Sequence, residues 1–313
     1  MRILITGAAG FVGQLLAEQL LNEGHRLLLT DIVEPPIPSA ARNRGNAKTV
    51  KADLYEEAAK VAEKDLEAAF IFHGIMSAGS EANFELGYRV NVHSTFRILD
   101  ELRKACPGVR VVYASSCAIY GRPIPEWPSE ATVPTPESSY GCQKIICEDL
   151  INDYNRRGLI NAFSLRFPTI SVRPGKPTQA ASSFMSGIIR EPLQGKDSEL
   201  PVEDDFQAWL CSPRTLVTNL IHTLTIPADA LPPHIRQVNL PGITASVADM
   251  LKALEEVGGK DSLKHIKRTK DPSIEEMLNS WGVRYDVSKA LSLGYKADES
   301  FKQAVVDFAD TLK

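Results

Sequence analysis

Long uninterrupted apolar runs are missing from this 313-residue chain, so no stretch reads as a helix able to cross a bilayer. The N-terminus is apolar but lacks a basic segment followed by a long hydrophobic core, and it reads as a first strand and turn rather than a signal peptide. An excess of positive charge is missing too. Lys and Arg number 35 against 39 Asp and Glu, a formal net charge of −4, which leaves no electrostatic case for nucleic acid or an anionic membrane as partner. Cysteine is sparse. The five residues Cys106, Cys117, Cys142, Cys147 and Cys211 are odd in number, form no CxxC pair and have no histidine at ligand spacing. That excludes a disulfide framework and a local metal motif; the expectation is reduced thiols, no metal and a cytoplasmic protein. Internal repeats, low-complexity tracts and flexible linkers are absent as well.

What remains is a soluble globular composition, 43% hydrophobic and 24% charged, in a chain long enough for a large core. Strand-like runs at 2–6, 26–30, 48–52, 68–73, 109–115 and 161–167 alternate with helical patterns at 11–23, 54–65, 82–105 and 140–157. Such alternation predicts a doubly wound parallel α/β sheet, a Rossmann fold, with helices on both faces. From about residue 168 Pro and Gly become frequent ("RPGKPTQ", "REPLQGK", "IPADALPPH"). The expected division is a dinucleotide-binding domain over 1–170 and a smaller C-terminal substrate lobe over 171–313, with segments around 212–240 returning to the first domain.

The first motif is "TGAAGFVG", directly after the first strand and opening a helix. Gly7, Gly10 and Gly13 meet three needs: a tight turn, close backbone approach to a pyrophosphate, and close helix packing. Phe11 and Val12 lie in the same loop, and the helix start offers free amides and a positive dipole to phosphate. Asp31, ending the second strand, suits the adenosine ribose hydroxyls and repels a 2′-phosphate, which predicts NAD rather than NADP despite Arg42 and Arg44 nearby.

"SYGCQK" places Tyr140 and Lys144 four residues apart, one helical turn. A tyrosine near its ordinary pKa of about 10 is a poor base at neutral pH. A lysine ammonium one turn away, together with a nicotinamide cation, is expected to favour the phenolate. Ser115 and Ser116 stand where the fifth strand should end, the side of an open α/β sheet where ligands bind. Ser115 is assigned to the cofactor side, and Ser116 to holding the substrate oxygen while Tyr140 takes its proton. Lys144 both tunes Tyr140 and donates to the nicotinamide ribose.

These motifs, with "ADL" (52–54), "YRVNVHSTFRILDEL" (88–102), "SSCAIYG" and "DVSKALSLGYKADESF" (286–301), resemble the extended short-chain dehydrogenase/reductase family almost end to end. The resemblance implies that Asp53 and Leu54 lie at the adenine and that Gly74 and Ile75, beside His73, border the cofactor. It further implies that Asn91 is the central-helix asparagine, that Phe167 and Pro168 approach the nicotinamide, and that the protein is a homodimer built on helices around 84–105 and 140–157. Cys117 and Ala118 stand where dehydratases of this group carry an acidic pair. "SPR" at 212–214 replaces the late acidic stretch of nucleotide-sugar enzymes. The run from "FPTISVRPGKPTQ" resembles the D-erythronate dehydrogenases, NAD enzymes that oxidise a four-carbon sugar acid at carbon 2. A small hydroxy acid needs a cation, and planar arginine gives bidentate recognition. Among Arg173, Lys176, Arg190 and Arg214 the best-placed is Arg173, in a turn just beyond the sixth strand; Ser77 is the candidate for a substrate hydroxyl. Two other readings stand beside the dehydrogenase: a nucleotide-sugar 4-epimerase with tightly held NAD, and a non-catalytic dinucleotide sensor.

Overall fold

The structure is a computed structural model that describes residues 1–175 and 181–312; Lys176, one of the four candidate cations, lies outside them. Strands β1 (Arg2–Thr6), β2 (Arg26–Asp31), β3 (Ala47–Lys51), β4 (Ala68–Ile71), β5 (Arg110–Ser116), β6 (Asn161–Phe167) and β10 (Gln237–Asn239) form a seven-stranded sheet in the order β10-β6-β5-β4-β1-β2-β3. β2 runs parallel to β1 and β3, and β4 runs parallel to β1 and β5. Every residue of β4 and four of five in β1 are buried, as strands covered on both faces must be. The order reverses between β1 and β4. There the chain leaves in opposite directions on either side, and a crevice opens beyond the strand ends.

The helices of this region are α1 (Phe11–Asn22), α2 (Leu54–Glu57), α3 (Ser77–Ala82), α4 (Phe84–Gly87), α5 (Ser94–Ala105) and α6 (Ser139–Arg156). Two differ from the sequence pattern. The run read as one helix over 54–65 is α only to Glu57, because Val61 and Leu66 both turn into the core and bend the chain back to β4. The run over 82–105 is not continuous α-helix: residues Tyr88–His93 form a π-helical turn between α4 and α5. Such turns insert a residue into the spiral and re-aim the side chains around it.

The chain divides into two compact units. One comprises 1–119, 138–166 and 217–238; the other 120–137, 167–216 and 239–313. Residues 120–137 therefore leave the stretch 1–170 and join the second unit. The reason is Tyr120, whose Oη lies 2.9 Å from Ser129 O and 2.9 Å from Asn239 Oδ1 while its ring packs 5.4 Å from that of Tyr285.

The second unit holds β7 (Thr169–Ile170), β8 (Ser198–Leu200), β9 (Gln207–Cys211), β11 (Ile243–Ser246) and β12 (Ile266–Arg268), with α7 (Phe184–Arg190), α9 (Val247–Gly258), α10 (Pro272–Asn279), α11 (Ser288–Ser292) and α12 (Phe301–Asp310). β9 pairs antiparallel with β11 and parallel with β7; β8 pairs with β12. Met185, Ile188, Leu210, Met250 and Val305 fill its core. α8 (Pro213–Thr223) begins at Ser212, whose amide and hydroxyl donate to Asp298 at 2.7 and 2.6 Å; Thr215 Oγ1 donates to the same carboxylate at 2.6 Å. A segment with no acid of its own thus receives one at its helix start, where the dipole favours it.

Candidate active site

The glycine loop connects β1 to α1 at the point where the strand order reverses. Gly7 has φ +64°, and a Cβ there would lie 2.6 Å from backbone atoms of Phe72 and His73 beyond β4. A Cβ on Gly13 would lie 2.6 Å from Gly7 O, so α1 packs directly on the loop. Gly10 is the N-cap of α1 and carries no side chain to cap it. First-turn amides that would otherwise be capped are left for a ligand at the dipole's positive end. Phe11 and Val12 open that helix.

Asp31 ends β2 beside the loop. Its carboxylate accepts from the N–H groups of Ala9 and Ile32 at 3.0 and 2.7 Å, which ties it to the glycine turn and leaves acceptor capacity on both oxygens. Asp53 caps α2 through Tyr55 N at 2.9 Å and pairs with Arg89 at 2.9 Å, while Leu54 is buried. The Asp53 side chain therefore has a local structural task. Asn91 sits inside the π-helical turn and clamps the loop after β4. Its Oδ1 accepts from Ile75 N at 2.7 Å, and its Nδ2 donates to Ile75 O at 2.9 Å and to Gln143 Oε1 at 2.6 Å. A Cβ on Gly74 would meet Asn91 Oδ1 at 2.9 Å. His73 is bound by Thr6 Oγ1 through Nδ1 at 2.9 Å, and burial pushes its pKa down to about 3, so it is neutral and structural.

Ser116, Tyr140 and Lys144 all belong to the first unit. Ser138 caps α6, its hydroxyl accepting from Gly141 N at 3.1 Å, and Glu81 accepts from Ser139 N at 2.5 Å; together they fix the helix start that carries Tyr140. Tyr140, Lys144 and Glu148 follow at four-residue steps on one buried face of α6. Burial pushes the Tyr140 hydroxyl up to about 12, and its hydrogen bond with Ser116 acts in the other direction. Lys144 Nζ donates to Ala114 O at 2.7 Å and stands 4.8 Å from the Tyr113 ring centre and 5.3 Å from that of Tyr140. Burial pushes its pKa down to about 8, with Cys147 and Glu148 acting the other way. In this arrangement the ammonium faces the tyrosine ring, and the hydrogen bond with Ser116 favours the phenolate.

The remaining candidates are dispersed. Ser77 opens α3 in the first unit. Phe167, Pro168 and Arg173 fall in the second unit, as do Arg190 and Arg214. Arg190 is neutralised by Glu191, with contacts of 3.0 and 2.7 Å, and also donates to Arg173 O at 2.8 Å. Arg214 pairs with Asp307. Arg173 is half-buried, and among the described residues its guanidinium meets no carboxylate; burial and the neighbouring Arg190 both work against its charge. Sequence reading missed three buried groups near Tyr140 and Lys144: Gln143, which holds Asn91, and the pair Glu148 and Arg166. Spacing carries a signal for Glu148 alone, one turn beyond Lys144.

The family model of the NAD dependent epimerase/dehydratase family matches residues 3–209. A D-erythronate dehydrogenase of Haemophilus influenzae is 40% identical over 99% of each chain, and one of Cupriavidus necator is 38% identical over 97% of each. Among solved structures, the nucleoside-diphosphate-sugar epimerase from Agrobacterium tumefaciens superposes with a TM-score of 0.93 at 36% identity, covering 100% of this chain and 94% of its own.

Proposed function

The chain belongs to the NAD dependent epimerase/dehydratase family, and from that premise we propose that it oxidises a secondary alcohol of a small sugar acid, of the D-erythronate kind, at carbon 2. The loop fits the cofactor: the uncapped start of α1, the crowding at Gly7 and Gly13, and the Asp31 carboxylate beside the turn suit a pyrophosphate and an unphosphorylated ribose. NAD, when bound, would supply the hydride acceptor for the alcohol carbon. Tyr140 takes the hydroxyl proton, Ser116 donates a hydrogen bond to the same oxygen, and Lys144 supplies the positive charge that keeps Tyr140 at its task. The product is the 2-keto acid, with two electrons on the cofactor and one proton released. By this reading the first unit binds NAD and the second recognises substrate, with Ser77 of the first unit holding a substrate hydroxyl.

Arg173 carries the substrate class. A half-buried guanidinium that meets no carboxylate among the described residues is costly alone and suits an anionic ligand, and its planar fork matches a carboxylate. The alternatives Arg190 and Arg214 already have acidic partners. The test is NADH formation by the purified protein across a panel of aldonic acids, the parent polyols and nucleotide-sugars. Four-carbon aldonic acids should react best, and faster reaction of polyols or nucleotide-sugars would overturn the reading. A 4-epimerase is the second reading, favoured by the high structural similarity to a protein named as an epimerase. It requires isomerised sugar with no net NADH. The assembly proposed is a cytoplasmic homodimer through α5 and α6. Phe96 and Ile146 are exposed on these helices, whereas Ile151 and Tyr154 lie in the core. Sedimentation of a 34.3 kDa species alone at micromolar concentration would sink the dimer.

A further inference from the structure

Glu148 and Arg166 form an ion pair in which both side chains are 1% exposed. Arg166 Nε and a terminal nitrogen donate to the two carboxylate oxygens at 3.0 and 2.7 Å, and Ser115 Oγ donates to Oε1 at 2.5 Å. Three elements meet at this carboxylate. β5 brings Ser115, the neighbour of Ser116; α6 brings Glu148, one turn beyond Lys144; β6 brings Arg166. The fold does not need charge here. Apolar side chains of similar volume usually replace a buried ion pair at no loss of stability, so its presence calls for a purpose other than packing. A salt bridge differs from apolar packing in being directional: a bidentate pair fixes both side chains in distance and in plane.

We infer that the Glu148–Arg166 pair is a positioning device that locks the serine end of β5 to the catalytic face of α6, setting where Ser116 and Lys144 stand relative to Tyr140. The inference rests on the assignment of Tyr140 and Lys144 to the chemistry. Ser115 is the direct link, because its hydroxyl holds the backbone on which Ser116 is carried. The same carboxylate lies near Lys144 and opposes the effect of burial on it. Other titratable groups around this cluster are Cys147 and Asp149 of α6, Tyr113 of β5, Tyr140, and His73, on which the Lys144 charge acts.

The decisive protein is the full-length double variant Glu148→Leu with Arg166→Met, which removes both charges together and leaves neither buried alone. Its thermal midpoint should stay within about 3 °C of the parent. Turnover should nonetheless fall about tenfold or more with little change in the substrate KM, because misplaced groups cost rate. A double variant with parental turnover overturns the inference. Glu148→Gln gives a second reading. It keeps shape but removes the charge that supports the Lys144 ammonium, so the Lys144 pKa falls below about 8 and the alkaline limb of kcat moves to lower pH. An unmoved limb with unmoved kcat would count against the device. Tyr140→Phe serves as the control: if it stays active, the underlying assignment of the site fails, whereas an inactive Tyr140→Phe beside a fully active double variant removes only the present inference.

Discussion

Arg166 and Arg173 stand seven positions apart in the chain, 173 minus 166, and show two opposite uses of one side chain. Arg166 is 1% exposed and gives two of its hydrogen bonds to Glu148. Arg173 is half-buried, and among the described residues no carboxylate answers it. An arginine whose charge is met inside the protein belongs to the architecture. One whose charge is left unmet in a desolvated place is arranged for something that arrives from outside.

The comparison is broken most easily by stability. Arg166→Ala leaves Glu148 buried and unpaired and should cost about 3–5 kcal/mol of unfolding free energy. Arg173→Ala should leave stability unchanged or raise it, since it removes a charge that burial penalises. Denaturant titration of the two variants side by side checks this, and equal losses would abolish the distinction. The next effect is on turnover. Tyr140→Phe keeps the ring and removes the proton acceptor, so kcat should fall by about a hundredfold or more while NAD binding survives. Stopped assays at saturating substrate read it directly.

Arg173 then sharpens the comparison from the ligand side. Arg173→Ala should raise the KM for the sugar acid about thirtyfold to a hundredfold, and Arg173→Lys, which keeps charge but loses the fork, about tenfold. An unchanged KM in both variants would return the arginine to the ordinary surface class. Smallest is the effect at the cofactor's far end. Asp31→Ala should shift the NAD-to-NADP preference about tenfold toward NADP, because a repelling carboxylate is removed. Equal use of both cofactors by the unmodified protein would show that Asp31 does not face the ribose.

The sequence made the glycine turn legible because its constraint is local: three glycines, a strand before and a helix after. Tyr140 and Lys144 were legible for the same reason, their spacing being a property of one helix. The break at Tyr88–His93 was not, since a π-helical turn leaves the apolar pattern of 82–105 almost untouched and shows itself only through Asn91's reach to Ile75. Residues 120–137 were misplaced because their attachment runs through Tyr120 to Asn239 and Tyr285, partners more than a hundred positions away. Glu148 and Arg166 were invisible as a pair because an ion pair is a fact about two elements. Arg173 stood out in the sequence by its place in a turn just beyond the sixth strand, and the structure adds that Glu191 and Asp307 answer two of its rivals, Arg190 and Arg214.

Asp298 alters how relatives of this protein should be compared. By the family resemblance, residues 212–214 stand where nucleotide-sugar enzymes carry an acidic stretch. In space a carboxylate stands at that helix start, delivered from 86 positions downstream. Two relatives can therefore satisfy the same helix from different stretches of chain, and a pattern search keyed to one stretch would separate proteins that the fold keeps alike. Deleting the chain from residue 298 onward would, by the same token, strip α8 of its counter-charge without touching a single residue of that helix.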